Sequence, residues 1–110
     1  MTVKTLIKAM DLKVVAGEDG LHKEVKGAFV GDVLSFVMAH AQEANVWITV
    51  QGHINSVAVA VLVNISAIIL TQGIMPNEEM IQKANQEGIA ILTTAKSSFE
   101  IAGTLACILV

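Results

Sequence analysis

Short runs of consecutive apolar residues recur along the chain, and between them apolar residues fall three and four apart. The runs read as strands and the spaced sets as helix faces. Val3, Leu6, Ile7 and Met10 predict a helix over residues 2–10 with Thr2 as its N-cap. A strand over 12–16 leads into the turn Gly17-Glu18-Asp19-Gly20, where glycines admit positive φ. Residues 27–31, Gly-Ala-Phe-Val-Gly, predict a second strand. Asp32 is placed to cap a helix over 33–40 whose apolar face is Leu34, Val37, Met38 and Ala41.

From there one unit repeats. A strand over 46–50 ends in Gln51-Gly52 and leads to a helix over 55–62. The next strand, over 66–70, ends in Thr71-Gln72-Gly73 and leads to a helix over 77–86. Asn77 caps that helix, Glu78 and Glu79 fill its first turn, and Gly88 closes it. The last strand, over 89–92, ends in Thr93-Thr94. Ser97 and Glu100 then form a capping box for a helix running to the C-terminus. Gly52 and Gly73 hold matching places in successive units. The strands are continuously apolar, which marks strands covered on both faces, as in parallel sheets. Strand–helix–strand units of this length build such a sheet. The expectation is one α/β domain over residues 1–110, with a mostly parallel sheet of about five strands and flanking helices.

Composition sharpens this picture. Of 110 residues, 54% are apolar and only 15% charged, which excludes a disordered chain. The formal net charge of −3 offers no basic stripe for nucleic acid. Residues 44–77 contain no Asp, Glu, Lys or Arg, yet polar residues interrupt this stretch too often for a membrane-spanning helix. Met1-Thr2-Val3-Lys4 lacks the apolar core of a signal peptide, so the expected compartment is the cytoplasm. The lone Cys107 lies in an apolar helical pattern and is expected as a buried structural thiol. The helix over 55–62 has almost no polar face, so it is expected to be covered on all sides. A homodimer that buries Val57, Val59, Val61 and Leu62 would cover it.

Ligands of open parallel sheets sit beyond the carboxyl ends of the strands. Here those ends carry Thr49, Gln51, Gly52, His53 and Asn55, then Thr71, Gln72 and Gly73, then Thr93 and Thr94. This rim of hydroxyls, amides and backbone groups suits a small polar metabolite or a nucleotide. The same residue types also serve as turn formers and caps, and both readings stay open. His53 is the one general acid–base candidate on the rim. It has no neighbouring carboxylate in sequence, and no two histidines fall at metal-ligand spacing. Neither a metal nor a cofactor is called for. The Gly-x-x-x-x-Gly-Lys-Ser/Thr, Gly-x-Gly-x-x-Gly and Gly-x-Ser-x-Gly motifs are all absent, and no arginine is present for a bidentate clamp.

Certain segments carry a resemblance. Thr-Val-Lys-Thr-Leu, Val-Val-Ala-Gly-Glu-Asp-Gly-Leu and Lys-Gly-Ala-Phe-Val-Gly-Asp-Val-Leu-Ser are followed by Trp-Ile-Thr-Val, Ile-Ile-Leu-Thr-Gln-Gly, Pro-Asn-Glu-Glu-Met-Ile and Ala-Ile-Leu-Thr-Thr. Together they resemble a stand-alone DRTGG domain over essentially the whole chain. Gly31-Asp32-Val33-Leu34-Ser35 and Pro76-Asn77-Glu78-Glu79 are the most specific pieces. The namesake Asp-Arg-Thr-Gly-Gly does not occur, and Gly52-His53 stands where some relatives carry Gly-Asp or Gly-Arg. The family resembles the N-terminal domain of HPr kinase/phosphorylase and the corresponding region of long phosphate acetyltransferases, and it also occurs beside CBS domains. The resemblance implies a non-catalytic accessory or regulatory domain, often at a subunit interface. The expected function is therefore a homodimeric regulatory or ligand-sensing domain. Two alternatives accompany it: an interaction adaptor for a kinase or metabolic enzyme, and a small enzyme using His53.

Overall fold

The computed structural model describes residues 1–109, which fold into one α/β domain. Helix α1, Val3–Met10, starts at Thr2, whose hydroxyl accepts from the Thr5 N–H. Strand β1, Lys13–Ala16, follows, then a single 3-10 turn, Glu18–Gly20, and strand β2, Gly27–Val30. Helix α2 covers Leu34–His40. Three strand–helix units complete the chain: β3 Asn45–Thr49 with α3 Ile54–Val63, β4 Ala67–Leu70 with α4 Glu78–Glu87, and β5 Ala90–Thr93 with α5 Ser98–Ile108. The caps expected at Asn77 and Ser97 are present as well. The Asn77 side chain accepts from the Met80 N–H, and Ser97 with Glu100 makes a complete capping box.

The strands lie in the order β1-β5-β4-β3-β2. From β2 to β5 every pairing is parallel, whereas β1 runs antiparallel beside β5. The sheet is thus mixed, and its parallel part comprises the three repeated units together with β2. Alternation along each strand divides the core between two faces. Val46 and Ile48 of β3, Ala67 and Ile69 of β4, and Ala90 and Leu92 of β5 face α1 and α5. Trp47, Ile68, Leu70 and Ile91 face α2, α3 and α4. Each central strand feeds two cores, which is why its sequence reads as an unbroken apolar run.

Three expectations need correction. Asp32 does not cap α2; Val33 occupies that position with no side-chain bond, because the Asp32 carboxylate is engaged elsewhere. Of the four residues on the expected α2 face, Val37 is fully buried while Met38 is exposed. With under two turns, α2 brings only one side chain fully under its own axis. Cys107 is exposed rather than buried, since α5 turns Ile101 and Leu105 to the sheet and leaves Cys107 on its outer side. The α3 residues also divide. Val57 and Val59 are buried within the chain itself, whereas Val61 and Leu62 are exposed by 43% and 71%. Only the latter two remain available to a partner.

Candidate functional site

The carboxyl end of β3 is occupied by the protein's own hydrogen bonds. The Thr49 hydroxyl donates to Asp32 Oδ1 at 2.8 Å, and the Val50 N–H donates to the same oxygen at 3.0 Å. Gln51 Nε2 donates to the Asp32 carbonyl at 2.9 Å. Ser56 Oγ in turn donates to the Gln51 carbonyl at 2.8 Å. Asp32 therefore ties the end of β2 to the end of β3, and Gln51 ties β3 to the start of α3. Next along, the Asn77 N–H donates to the Gly52 carbonyl at 3.1 Å. A side chain at Gly52 would meet the Met75 carbonyl at 2.8 Å, so this contact requires glycine. His53 is exposed at the start of α3, with Asn77 Nδ2 lying 3.5 Å from its Nδ1. Asn55 is exposed in the first turn of the same helix.

Asp32→Ala should lower stability by about 1–3 kcal/mol, because it strands the Thr49 hydroxyl, which is 1% exposed. Chemical denaturation of the two proteins checks this. An unchanged midpoint would mean that water replaces the carboxylate.

The ends of β4 and β5 are arranged differently. Thr71 is fully buried, and its hydroxyl shares a hydrogen bond with Ser98 Oγ at 2.6 Å. Gln72 and Gly73 both take positive φ, at 63° and 72°. In this turn the Gln72 N–H donates to the Lys96 carbonyl and the Gly73 N–H to the Thr94 carbonyl, at 2.9 and 3.0 Å. The two strand-end loops are thereby stitched together, and a cleft of about 410 Å³ opens beside them. Gly73, Thr93, Thr94, Ala95 and Lys96 supply one side, and Met75 an apolar lip. Asp11 and Lys13 line it as well, Lys13 lying next to Thr93. These two reach it because β1 is antiparallel: Lys13 at its start pairs with Thr93 at the end of β5.

Of the ten rim positions, Gly73, Thr93 and Thr94 come together in this cleft. Thr49, Gln51, Gly52 and Thr71 serve the scaffold, and His53, Asn55 and Gln72 lie exposed outside the cleft lining. Asp11, Lys13, Met75, Ala95 and Lys96 were not expected in a site. Lys96 and Ala95 had a usable signal, since they follow Thr93-Thr94 in a loop after a parallel strand. Asp11 and Lys13 had none, because the partner of a lone N-terminal strand is not written in its own pattern.

Among the described residues the salt bridges join the N-terminus to Glu24 and Lys83 to Glu87, so Lys13 and Lys96 have no ion-pair partner. At the amino ends of the strands, a shallower cleft of about 270 Å³ has mixed charge from Lys23, Glu24, Lys26 and Glu43. Partial burial there pushes the Lys23 ammonium below its usual range. Among the described residues no group of three or more His, Cys, Asp or Glu gathers as a metal site, and no helix is long and apolar enough to cross a membrane.

A family model described as the DRTGG domain matches residues 5–107. No curated protein matches the chain. Among solved structures, it is similar to the CBS and DRTGG domains of the regulatory region of Clostridium perfringens pyrophosphatase, complexed with the activator diadenosine tetraphosphate. The TM-score is 0.67 at 18% identity, and the match covers 94% of this chain and 47% of that one. The chain thus spans about half the length of that structure, and at this identity the likeness shows the fold.

Proposed function

We propose, from the premise that this chain belongs to the DRTGG domain family, that it is a regulatory, ligand-sensing domain with no catalysis of its own. The observation that carries this reading is the cleft at the ends of β4 and β5. Its volume falls within the range of small-ligand sites. It lies beyond the carboxyl ends of parallel strands, where ligands of open sheets bind. Hydroxyls, backbone groups, two ammonium groups and one carboxylate line it, a set that suits a small polar metabolite or a nucleotide. The similar pyrophosphatase domain lies in a regulatory region complexed with a nucleotide activator, which supports the same direction. The working form is a cytoplasmic homodimer in which Val61 and Leu62 on the open side of α3 meet a second copy.

His53 lends the enzymatic alternative no support. Its hydrogen-bond contact is the Asn77 amide, and neither a carboxylate nor a thiol orients it. The adaptor alternative draws on Phe99, which stands 87% exposed on α5.

Thermal denaturation against a panel of nucleotides and central metabolites tests the sensing role. A ligand at a hundred times its Kd adds about 2.7 kcal/mol of stability, a rise of about ten degrees in Tm. A panel that leaves Tm unmoved at millimolar concentration would overturn sensing. Light scattering tests the dimer separately, and an 11.6 kDa species at micromolar concentration would remove it.

A further inference from the structure

We propose that the cleft is built for a small phosphomonoester that also carries hydroxyl groups: a sugar phosphate, or the ribose-phosphate end of a mononucleotide. This rests on reading the cleft as the ligand site. The charges are placed asymmetrically. Lys13 enters from β1 and Lys96 from the loop before α5, and neither makes a salt bridge among the described residues. Two ammonium groups without a salt bridge in the lining of one cleft match a phosphomonoester, which carries close to two negative charges at neutral pH. Lysine binds phosphate as a point charge and needs no bidentate geometry. Thr94 adds a donor to the same lining. Its Oγ1 accepts from the Lys96 N–H at 3.2 Å, so its own proton is free for a phosphate oxygen.

Asp11 decides what the rest of the ligand is. An ionised carboxylate only accepts hydrogen bonds, so it favours hydroxyl or amine donors and repels a second anionic group. A ligand that is anionic throughout, such as a polyphosphate chain, would meet that repulsion. One with phosphate at one end and a sugar at the other would not. Met75, 58% exposed at the lip, offers a flexible apolar surface to a sugar or base face. The volume of about 410 Å³ suits a ligand of that size.

The test is an amide-resolved NMR titration of the whole chain with ribose 5-phosphate, ribose, adenosine and inorganic phosphate. Ribose 5-phosphate should move the amides of Gly73, Thr94 and Lys96, and bind about tenfold tighter than ribose or inorganic phosphate. Lys13→Gln and Lys96→Gln should each weaken it about tenfold with Tm unchanged, since both side chains are exposed. Asp11→Asn, which tolerates the left-handed backbone there, should strengthen inorganic phosphate while weakening ribose 5-phosphate. If ribose or adenosine moves the same amides as strongly, and the lysine variants bind as wild type does, the phosphate assignment is wrong while the cleft remains the site. Binding of ribose 5-phosphate no tighter than inorganic phosphate would remove the hydroxyl recognition by Asp11. If no probe moves these amides, or the shifts gather at Gln51 and His53, the cleft reading itself falls and takes the proposal with it.

Discussion

Trp47→Ala should lower the unfolding free energy by about 3–5 kcal/mol, a large share of the 5–15 kcal/mol that holds a domain together. Trp47 is fully buried at the centre of β3, on the face packed by α2, α3 and α4. Its removal leaves a cavity among close-packed neighbours that can collapse only in part. It also strands a polar group. Trp47 Nε1 donates to the Gly31 carbonyl at 2.8 Å, holding the end of β2 against β3 just before Asp32 makes its own bonds to Thr49 and Val50. Trp47→Phe separates the two effects, since it keeps most of the apolar bulk and loses the donor, at a cost of about 1–3 kcal/mol. Circular dichroism is the measurement of choice, because this is the chain's only tryptophan and its own fluorescence disappears in both variants. The alanine variant should melt at least ten degrees lower, with the phenylalanine variant between. Equal melting of all three proteins would contradict the burial of the indole.

The same residues show how far the sequence could be read. The units from β3 to α5 were legible because each strand is an unbroken apolar run between turn residues, and each run feeds two cores, as Val46 and Trp47 do from adjacent positions. The caps at Asn77 and Ser97 were legible because a cap is local chemistry within three residues. What failed depended on distance in sequence. Asp32 looked like a cap because the helix lies next to it, but its partners, Thr49 and Val50, lie on another strand. A helix apolar on every side does not reveal which side the sheet takes, so Cys107 was expected inside, and the division of α3 into buried Val57 and exposed Leu62 could not be read. The rim residues could be placed near the strand ends, yet the open part of that rim could not be distinguished from its self-bonded part. Thr49 and Thr93 end β3 and β5 in register with Leu70, and Thr71 follows one residue beyond β4. Only the neighbours beyond the repeat decide that Thr49 finds Asp32, Thr71 finds Ser98, and Thr93 lines a cleft beside Lys13.

The placement of Lys13 depends on how β1 is held against β5, and Gly17→Ala tests that directly. Gly17 follows β1 with φ of 71°, a region that costs residues other than glycine about 1–2 kcal/mol. Its N–H donates to Asn85 Oδ1 on α4 at 2.7 Å, and its α-carbon faces the backbone where β5 begins. A Cβ there would overlap the Ile89 carbonyl oxygen, so either β1 or the start of β5 must shift. Backbone strain and forced displacement together should cost about 2–6 kcal/mol. Gly73→Ala provides the control. Its φ of 72° is nearly identical, but a Cβ there would have no atom within 4 Å, so only the conformational cost of about 1–2 kcal/mol remains. The difference between the two variants therefore measures the close approach of β1's turn to β5, with the left-handed strain cancelled. Denaturant midpoints should place Gly17→Ala well below Gly73→Ala. Equal losses would mean that the turn yields without moving β5, and that the pairing of Lys13 with Thr93 does not depend on this contact. A larger loss at Gly17, together with amide shifts at Thr93 and Thr94 in the folded variant, would show that the turn sets the width of the cleft.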